Sequence, residues 1–540
     1  MIRGSGLPVC SGVAIGPAYL YRKGQATLPV SCGDPAVEQQ KFDKAKEVAL
    51  SQLQHLVDQA TKELGEEQAM ILDVQMMMLD DLDYLESIQA KIQNGLGAAQ
   101  AVKQTGEEFA MDFASMDDSY MQARATDVRD VSTRVVNILC GGSSGFEMDQ
   151  PGILIAEDLT PSETVQLPKD KILAFVTQHG SANSHTAILA RIMGIPSLVK
   201  ADIAMDDSLS GQMMVVDCIE GNYYIQPDDE TLKTMTEKRE AVIRRQQELE
   251  AYRGKPSVTR NGQKIKLYAN IGNPSDVEHV IKGDAEGVGL LRSEFLYLGR
   301  EDYPTEDDLY QAYRKVVEGL QGRPCVIRTL DIGADKQADY FNLDAEENPA
   351  LGLRGIRICI RRPEVFRTQM RAIYRASAHG PVSVMFPMIA SVWEVKRVRE
   401  MCDAFRKELE EQGIPVGEVE HGIMIETPAA AVISDELAKV VDFFSIGTND
   451  LTQYTLAVDR QNPSLEEFGD THHPAIMRLL RMIAENAHKA GIWCGICGEL
   501  GADPSLTETF LDMGYDELSV SPTRVLELRK KVCESEGKPQ

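Results

Sequence analysis

Apolar residues recur at helical spacing through the segment from Asp34 to about Cys140. The segment has a single proline, Pro35, and few glycines, so little in it interrupts a helix. Apolar positions three or four residues apart form the faces along which amphipathic helices pack. We therefore predict a helical subdomain of several antiparallel helices. Its periodic positions include Leu53, Leu56, Ala60 and Leu64 on one face, and Val128, Val131, Val135 and Ile138 on another.

The segments on either side of the helical one contain short β-rich runs separated by glycine and proline. If the first run joins the later ones in a single sheet, the helical segment is an insertion within an α/β domain. This interpretation assigns residues 1–33 and 144–227 to the α/β domain, and residues 34–143 to the insert. The runs are Gly12–Tyr21, Gly152–Ala156, Ile172–Thr177, Met213–Asp217 and Tyr223–Gln226.

Residues 228–253 are highly charged and have scattered apolar positions, which predicts an exposed linker helix. In residues 254–540, apolar runs alternate with helical stretches. Eight strands, each followed by a helix, are what a (β/α)8 barrel requires. The eight runs are Ile265–Ala269, Gly287–Leu291, Cys325–Leu330, Val382–Phe386, Gly422–Ile425, Val441–Ile446, Ile492–Ile496 and Leu518–Val520.

The composition restricts the class of protein. A chain of 540 residues, 43% of them hydrophobic, has room for roughly three to four domains. The net charge of −27 disfavours nucleic-acid binding and suits a basic protein partner. Glycine and proline interrupt the N-terminal segment, and no later run reaches the ~18 apolar residues that span a bilayer, so we expect a cytoplasmic protein without membrane insertion. We expect reduced cysteines, and the lone CxxC pair, Cys494 and Cys497, is weak evidence for zinc.

A barrel enzyme has its site at the carboxyl ends of the strands, so polar residues that follow the predicted strands are candidate site residues. Glu426 ends one run and Asp450 follows the next, which can bring two carboxylates together. Magnesium suits such a pair, because it takes few protein oxygens and completes its shell with water and substrate. Surface ion pairs are the alternative interpretation. The full set is Asn270, Arg292, Arg328, Asp331, Glu426, Asn449, Asp450, Cys497 and Glu499.

Arginines and one histidine add to this chemistry. A substrate with both a carboxylate and a phosphate requires several fixed guanidinium groups, which Arg292, Arg328 and Arg460 can supply if they are not solvated partners of the many acids. His185 lies where a small-residue loop opens into a predicted helix, and free N–H groups there favour a covalently held phosphate. A helix-capping role fits this position equally well. His179 is a competing phosphate acceptor.

Several separated motifs, which together cover nearly the whole chain, match one family. They are ATDVRD at 125–130, SHT at 184–186 with AR at 190–191, EGVGLLRSEFL at 286–296, RTLDIG at 328–333, ETPA at 426–429, GTNDLTQY at 447–454 and CGE at 497–499. With these motifs the sequence resembles Enzyme I of the bacterial sugar phosphotransferase system, the phosphoenolpyruvate–protein phosphotransferases. Chance agreement at so many places is negligible.

The resemblance implies a multidomain α/β fold: a swivelling phosphohistidine domain with an inserted helical subdomain, a linker helix and a phosphoenolpyruvate-binding TIM barrel. It implies that His185 takes a phosphoryl group from phosphoenolpyruvate, releasing pyruvate, and passes it to the phosphocarrier HPr for sugar uptake. Mg²⁺ is the implied cofactor, the insert the HPr-docking surface and the barrel the homodimer interface. The implied roles are substrate binding by Arg292, Arg328, Asn449, Asp450 and Arg460, magnesium binding by Glu426 and Asp450, and proton donation by Cys497 as the general acid.

One departure from the family pattern and three rival functions stay open. Where the family commonly reads Gly-Gly-Arg-Thr-Ser-His, this chain has Gly180, Ser181, Ala182 and Asn183, which leaves open a specialised HPr-like regulatory partner. A dikinase or synthase would need a nucleotide-binding domain, and the sequence has no Walker-type glycine loop. A barrel lyase would leave His185 unused. A non-catalytic docking protein would not need the metal and phosphate residues.

Overall fold

The chain folds as two units, Met1–Gln246 and Gln247–Gln540, each with its own hydrophobic core. The computed structural model describes residues 1–22, 33–64, 66–116, 119–141, 148–180, 187, 190–191, 193–333 and 338–538.

An eight-stranded sheet is the centre of the first unit, counted over its described residues. The strands are β1 (Ile2–Ser5), β2 (Leu7–Cys10), β3 (Val13–Leu20), β4 (Gly152–Ala156), β5 (Ile172–Thr177), β6 (Ser197–Val199), β7 (Met213–Asp217) and β8 (Asn222–Ile225). Their order across the sheet is β1-β8-β7-β3-β4-β5-β6-β2. β3 and β4 are parallel neighbours, although the whole helical segment lies between them in sequence. The helical subdomain is therefore an insertion within an α/β domain, as predicted.

Three strands of this sheet were not predicted from the sequence, and each is short. β1 and β2 lie at the two edges and are largely exposed, so neither has an alternation of apolar and polar positions. β1 pairs antiparallel with β8, and β2 pairs antiparallel with β6. β6 has three residues, all buried. Pairing with a neighbouring strand defines these elements, because their own sequences are too short to show a period.

The inserted subdomain packs its helices around one apolar core. The buried positions include Leu53, Leu56, Val128, Val131 and Val135, which lie on the predicted faces. The side chains of Ala60 and Leu64 lie outside the described residues. Asp81 begins the third helix by accepting a hydrogen bond of 2.9 Å from the backbone N–H of Tyr84. The helices are Pro35–Leu64, Glu66–Leu79, Leu82–Gln93, Ala98–Ala114 and Ser119–Leu139.

A helix at Asp229–Glu250 lies in the segment that the sequence predicted as a linker helix. Its residues Leu232 and Met235 pack against a small apolar cluster on β3, β7 and β8 of the first sheet. Lys238 donates to the buried Asp217 Oδ2 at 2.5 Å and to Glu220 Oε1 at 2.8 Å. Apolar contacts and the ion pairs of Lys238 thus attach the helix to the first unit, while most of its surface is solvated.

The second unit is a closed barrel in which every neighbouring pair of strands is parallel. The predicted (β/α)8 barrel is confirmed, and the predicted runs differ from the strands by no more than three residues at either end. The strands are β9 (Lys266–Ile271), β10 (Val288–Arg292), β11 (Cys325–Arg328), β12 (Val382–Phe386), β13 (Val419–Ile425), β14 (Phe443–Ile446), β15 (Trp493–Ile496) and β16 (Glu517–Val520).

Local signals set the ends of the outer helices. Ser391 and Glu394 form a capping box that begins one long helix, because each side chain satisfies a free backbone N–H of the first turn. Pro474 begins another, and Gly491 ends it with φ +80°, a conformation that glycine adopts without steric cost. The helices of this unit are Val277–Lys282, Glu306–Gly319, Ile356–Arg361, Pro363–Ala376, Val392–Glu411, Pro428–Val432, Ser434–Leu437, Thr448–Leu456, Pro474–Ala490, Thr507–Met513 and Val525–Glu534.

His421 makes the stability of the barrel depend on pH. It is buried in β13 with Nε2 2.8 Å from the Tyr374 hydroxyl, and burial, with a smaller effect of the Arg399 guanidinium, lowers its pKa to about 4. Between pH 4 and ~6.5 the unfolded chain binds the proton and the folded one does not, so the free energy of unfolding falls as pH falls through this window. The full loss is ~3 kcal/mol.

We expect the free energy of unfolding of the wild type, relative to a His421→Gln variant, to fall by ~2 kcal/mol from pH 7.5 to pH 5. The comparison isolates His421, because the buried acids Glu426 and Glu517, whose raised pKa values act in the opposite direction, are present in both proteins. The measurement is urea unfolding of both proteins at the two pH values, and His279→Gln, at an exposed position of the same unit, is the control for loss of a histidine. A difference between wild type and His421→Gln that stays constant from pH 7.5 to pH 5 would assign the effect to other groups.

Candidate active site

Two arginines end neighbouring strands of the barrel. Arg292 is the last residue of β10 and lies in register with Arg328, the last residue of β11. Arg328 is buried, and its guanidinium donates to Glu294 Oε1 at 2.6 Å and lies 3.0 Å from Asp331 Oδ2. Burial lowers the pKa of Arg328, but these carboxylates and Glu426 outweigh burial and raise the pKa overall. Arg328 is therefore a permanent positive charge fixed at the carboxyl end of the barrel.

Glu426 directly follows β13 and is buried at the same end. Its Oε1 accepts a hydrogen bond of 2.6 Å from the backbone N–H of Met388. Met388 has φ +59°, a conformation rare for long side chains, so a strained turn directs this N–H at the carboxyl group. Burial, followed by the charges of Asp450 and Asp331, raises the pKa of Glu426 to about 8. At neutral pH Glu426 therefore holds a proton unless a cation compensates its charge.

The helix that follows β14 places Asn449 and Asp450 in its first turn. Asp450 is buried, with Oδ2 3.4 Å from Arg354 Nη2 and Oδ1 3.4 Å from Arg460 Nη1. Asn449 Oδ1 accepts a hydrogen bond of 3.3 Å from the backbone N–H of Glu499. The structure thus brings the predicted residues that follow β14 and β15 into one polar cluster.

Gly447, which precedes this helix, lets the two predicted metal ligands approach each other. A Cβ at Gly447 would lie 2.9 Å from Glu426 Oε2, so the start of the helix passes directly against that carboxyl group. Asp450 lies in the first turn of the same helix, and its charge contributes to the raised pKa of Glu426. A side chain at Gly447 would push the helix and Asp450 away from Glu426.

Cys497 directly follows β15, and its side chain belongs to the apolar cluster inside the barrel. It is 3% exposed, and its Sγ donates to the Ile446 carbonyl at 3.6 Å. Burial raises the pKa of the Cys497 thiol to about 12, so the sulfur keeps its proton at neutral pH. Asn270 Nδ2 donates to the Cys497 carbonyl at 2.9 Å. Cys494 lies in the other core, between strands and helices, so the CxxC pair does not converge on a zinc site.

The two candidate phosphate acceptors belong to the first unit. His185 lies outside the described residues, and its role stays a prediction from the sequence. His179 follows β5 with an exposed side chain, and its carbonyl accepts a hydrogen bond of 2.8 Å from Thr177 Oγ1. This hydrogen bond fixes the backbone of His179 and leaves its imidazole in solvent.

The sequence analysis missed Arg354 and Tyr454. Arg354 donates from Nη2 to Asp331 Oδ1 at 3.1 Å and from Nη1 to the Tyr454 hydroxyl at 3.1 Å. Burial lowers the pKa of Arg354, but Asp331, Asp450 and Glu426 raise it overall. Arg354 lies in the long connection after β11 and not directly after a strand, so its position in the sequence does not mark it as a site residue. Tyr454 lies one helical turn after Asp450 within the GTNDLTQY motif, and that spacing is the signal that identifies it.

The residues present fit a hard divalent cation. Glu426 and Asp450 are buried carboxyl groups whose mutual repulsion a cation relieves. Within the described residues Asp450 Oδ1 accepts no hydrogen bond, and its 3.4 Å contact with Arg460 Nη1 is an ion pair only. In the same part of the chain no cluster of three or more His, Cys, Asp or Glu side chains could hold a metal ion. A divalent cation that needs only one or two protein carboxylates, with water and substrate completing its shell, fits these residues.

Comparison with known proteins decides the family. Three family models match: the PEP-utilising enzyme N-terminal model at residues 5–124, the mobile domain at 148–221 and the PEP-binding domain at 246–536. The phosphoenolpyruvate-protein phosphotransferase of Staphylococcus carnosus is 40% identical over 532 residues, 98% of this chain and 93% of the relative. The chain belongs to the phosphoenolpyruvate–protein phosphotransferase family. Relatives of the same name from Bacillus subtilis and Lactococcus lactis are 40% and 41% identical, covering 98% and 97% of this chain and 93% and 92% of theirs.

Membership of the phosphoenolpyruvate–protein phosphotransferase family confirms the resemblance drawn from the motifs, and with it the predicted enzyme class, a transferase. The predicted multidomain architecture is confirmed as well, because separate models of the family match the first unit and the barrel. Among the described residues, no helix combines the length and apolar character needed to cross a membrane.

An Arg354→Lys variant should lower kcat/KM for phosphoenolpyruvate by about 10-fold or more, because lysine cannot bridge Asp331, Asp450 and Tyr454 at once. The measurement is the initial rate of phosphoprotein formation, with thermal unfolding as a check of the fold. Arg357→Lys is the matched control, since Arg357 donates to the backbone carbonyls of nearby residues. Equal losses in both variants would remove Arg354 from the site.

Proposed function

We propose that this chain takes the phosphoryl group of phosphoenolpyruvate onto His185, releases pyruvate, and passes the group to HPr, the phosphocarrier of sugar uptake. The observation that supports this most strongly is the pair of buried carboxyl groups, Glu426 and Asp450, with Arg328 and Arg354 around them, at the end of the barrel where such enzymes bind substrate. Membership of the phosphotransferase family identifies the substrate class that this charge pattern fits.

Each side chain has a defined task in this proposal. Arg292 and Arg460 keep accessible guanidinium groups, so we assign to them the phosphate and carboxylate of the substrate. Arg328 is held by Glu294 and Asp331, and it adds positive charge where the phosphoryl group leaves. We assign Asn449 to the substrate from the family motif. Magnesium, when bound by Glu426 and Asp450, supplies charge neutralisation at the transferring group.

Phosphoryl transfer to His185 and protonation of the enolate follow each other in this proposal. A nitrogen of the His185 imidazole attacks phosphorus while the bond between phosphorus and the enol oxygen breaks. The departing enolate of pyruvate takes a proton on its methylene carbon from the Cys497 thiol, which becomes a thiolate. Because the pKa of this thiol is about 12, the proton is in place before the enolate forms.

An exposed patch on the helical insert supports docking of a basic partner. Met77 is 71% exposed and Leu82 is 74% exposed, on either side of the turn between the second and third helices. Asp80, Asp81 and Asp83 are exposed between and beside them. Apolar anchors ringed by acids suit a partner with a basic rim. We propose residues 77–83 as the HPr contact.

We expect Leu82→Ala to lower kcat/KM for phosphoryl transfer to HPr by about 10-fold, because it removes an apolar anchor from the contact. Phosphorylation by phosphoenolpyruvate should stay within about 2-fold of wild type, since the barrel is unchanged. The measurement is transfer of labelled phosphate from the enzyme to HPr. Ile243→Ala, at a position 46% exposed on the helix Asp229–Glu250, is the control. A wild-type transfer rate for Leu82→Ala would exclude this patch.

A specialised HPr-like regulatory protein is the second candidate partner. The sequence Gly180-Ser181-Ala182-Asn183 favours it, because the family commonly has an arginine and a threonine in that stretch. The homodimer, the domain boundaries and the cytoplasmic location also stay predictions.

Incubation with labelled phosphoenolpyruvate and magnesium tests the proposed function. We expect one phosphoryl group per chain and one pyruvate per phosphoryl group. HPr should then remove the label from the enzyme. A folded protein that forms no phosphoprotein would overturn the proposal. If the phosphoprotein transfers its label to an HPr-like homologue and not to HPr, the regulatory partner is favoured.

A further inference from the structure

Glu517 is a buried carboxyl group inside the barrel that the reaction above does not use. It begins β16, it is 0% exposed, and neither of its carboxyl oxygens has a hydrogen-bond partner within the described residues. Branched apolar side chains normally fill a barrel interior. A buried carboxyl group without a partner costs free energy, because it loses its hydrogen bonds to water. Packing alone would favour a different residue here.

Two glycines make room for this carboxyl group. A Cβ at Gly289 would collide with Glu517 Oε1, and a Cβ at Gly495 would collide with Oε2. Ser519, two residues along β16, lines the same space with its small side chain, which would also meet a Cβ at Gly289. Small residues on three strands thus surround the Glu517 carboxyl group. The space that the carboxyl group occupies therefore depends on the absence of larger side chains at these positions.

Glu517 lies one interior layer below the proposed proton donor. It is in register with Gly495 of β15 and with Lys266 of β9. Cys497 is two residues beyond Gly495, so it faces the same interior, ~6.6 Å further along the strand. The Glu517 carboxyl group lies against Gly495, where it fills the space of a missing side chain. Its charge contributes to the raised pKa of Cys497, so the two side chains are close enough for a proton relay through water.

The surroundings leave Glu517 protonated at neutral pH. Burial raises its pKa to about 8, the nearby Lys266 opposes this shift and Asp516 adds to it. The charge of Glu517 also acts on Tyr268 and Cys494, and burial holds the pKa of each of these groups well above the pKa of Glu517. Glu517 is therefore the group around this space that most readily gives up a proton near physiological pH.

We propose that Glu517 returns a proton to the Cys497 sulfur between turnovers. This inference rests on the proposed function. After Cys497 has protonated the enolate, its thiolate takes a proton relayed from the Glu517 carboxyl group through one water: the Glu517 O–H bond breaks, a new S–H bond forms, and a carboxylate remains. The carboxylate regains its proton from solvent water. Glu517 is thus a positioning residue that acts through Cys497, without touching the substrate.

A Glu517→Gln variant separates this role from a structural one. Glutamine has nearly the same volume and is uncharged, as the protonated acid is, but it has no acidic proton. Cys497 starts protonated, so the first pyruvate per active site should form within about 3-fold of the wild-type rate, and later ones at least about 10-fold more slowly. The measurement is quenched-flow pyruvate formation with saturating phosphoenolpyruvate, Mg²⁺ and excess Bacillus subtilis HPr as phosphoacceptor.

A double-mutant cycle with Cys497→Ala tests the coupling. If Glu517 acts only through the sulfur, adding Glu517→Gln to Cys497→Ala should slow pyruvate formation no further. Equal slowing of first and later turnovers, multiplicative losses in the double variant, or wild-type kinetics in Glu517→Gln would each overturn the inference. If Glu517→Gln does not fold, Glu517→Asp replaces it. We then expect a smaller excess of the first-turnover rate over the later rate than in Glu517→Gln, and a wild-type ratio of these two rates would overturn the inference. Absence of phosphoprotein in the wild type would instead overturn the proposed function.

Discussion

Glu426→Ala and Asp450→Ala should each reduce phosphorylation by phosphoenolpyruvate by about 1,000-fold or more, because each removes half of the proposed magnesium site. Transfer between phosphorylated HPr and His185 should continue at close to the wild-type rate. This separation is expected because the carboxyl groups belong to the barrel unit, whereas the acceptor and the proposed docking patch belong to the first unit. The measurement is formation of phosphoprotein from labelled phosphoenolpyruvate and, separately, from labelled phospho-HPr.

The control for this experiment is Glu420→Ala. Glu420 is an exposed acid of β13, the strand that Glu426 directly follows. Isothermal titration with Mg²⁺ should show weaker binding for both site variants and unchanged binding for the control. Loss of both half-reactions in Glu426→Ala would mean misfolding or a shared site. Retention of phosphorylation by phosphoenolpyruvate would remove Glu426 from the magnesium site.

Cys497→Ala should slow pyruvate formation by about 100-fold or more, the range expected when a general acid is removed. Binding of phosphoenolpyruvate and Mg²⁺ should change little, because the thiol lies in the apolar interior and donates a hydrogen bond to the Ile446 carbonyl. The reverse reaction, from pyruvate and phosphoprotein, should slow equally, since the same sulfur must then remove a methyl proton. The measurement is pyruvate formation and consumption beside substrate affinity.

Cys494 supplies a matched control within the same strand. It is also a buried cysteine, but it belongs to the core between the strands and the outer helices. Cys494→Ala should therefore affect the free energy of unfolding more than turnover. Wild-type turnover in Cys497→Ala would assign proton donation to water or to another side chain.

The barrel was predictable from the sequence because each of its strands contains a mainly apolar stretch. Parallel strands covered on both faces lose the alternation of polar and apolar positions, so runs such as Val382–Phe386 stand out between charged helices. The edge strands Ile2–Ser5 and Leu7–Cys10 were not predictable in this way. Their residues are largely exposed, and only pairing with distant strands makes them β structure.

The candidate site was predictable where its residues directly follow strands. Glu426, Asp450 and Cys497 were identified by position, and the structure places them at one end of the barrel. Arg354 was missed because a long connection returns it to the site, and no local pattern encodes that path. Glu517 was not predicted because it begins a strand, whereas the candidate residues were sought at strand ends. Its distinguishing feature is burial without a hydrogen-bond partner, and this feature is visible only in the structure.

Mapping of the phosphate shows whether phosphoenolpyruvate phosphorylates His185. The protein is incubated with phosphoenolpyruvate and Mg²⁺, kept at alkaline pH because phosphohistidine is labile in acid, digested and analysed by mass spectrometry. We predict one phosphoryl group, on His185, and none on the His185→Ala variant. Phosphate on the exposed His179, or undiminished labelling of a folded His185→Ala variant, would contradict the account.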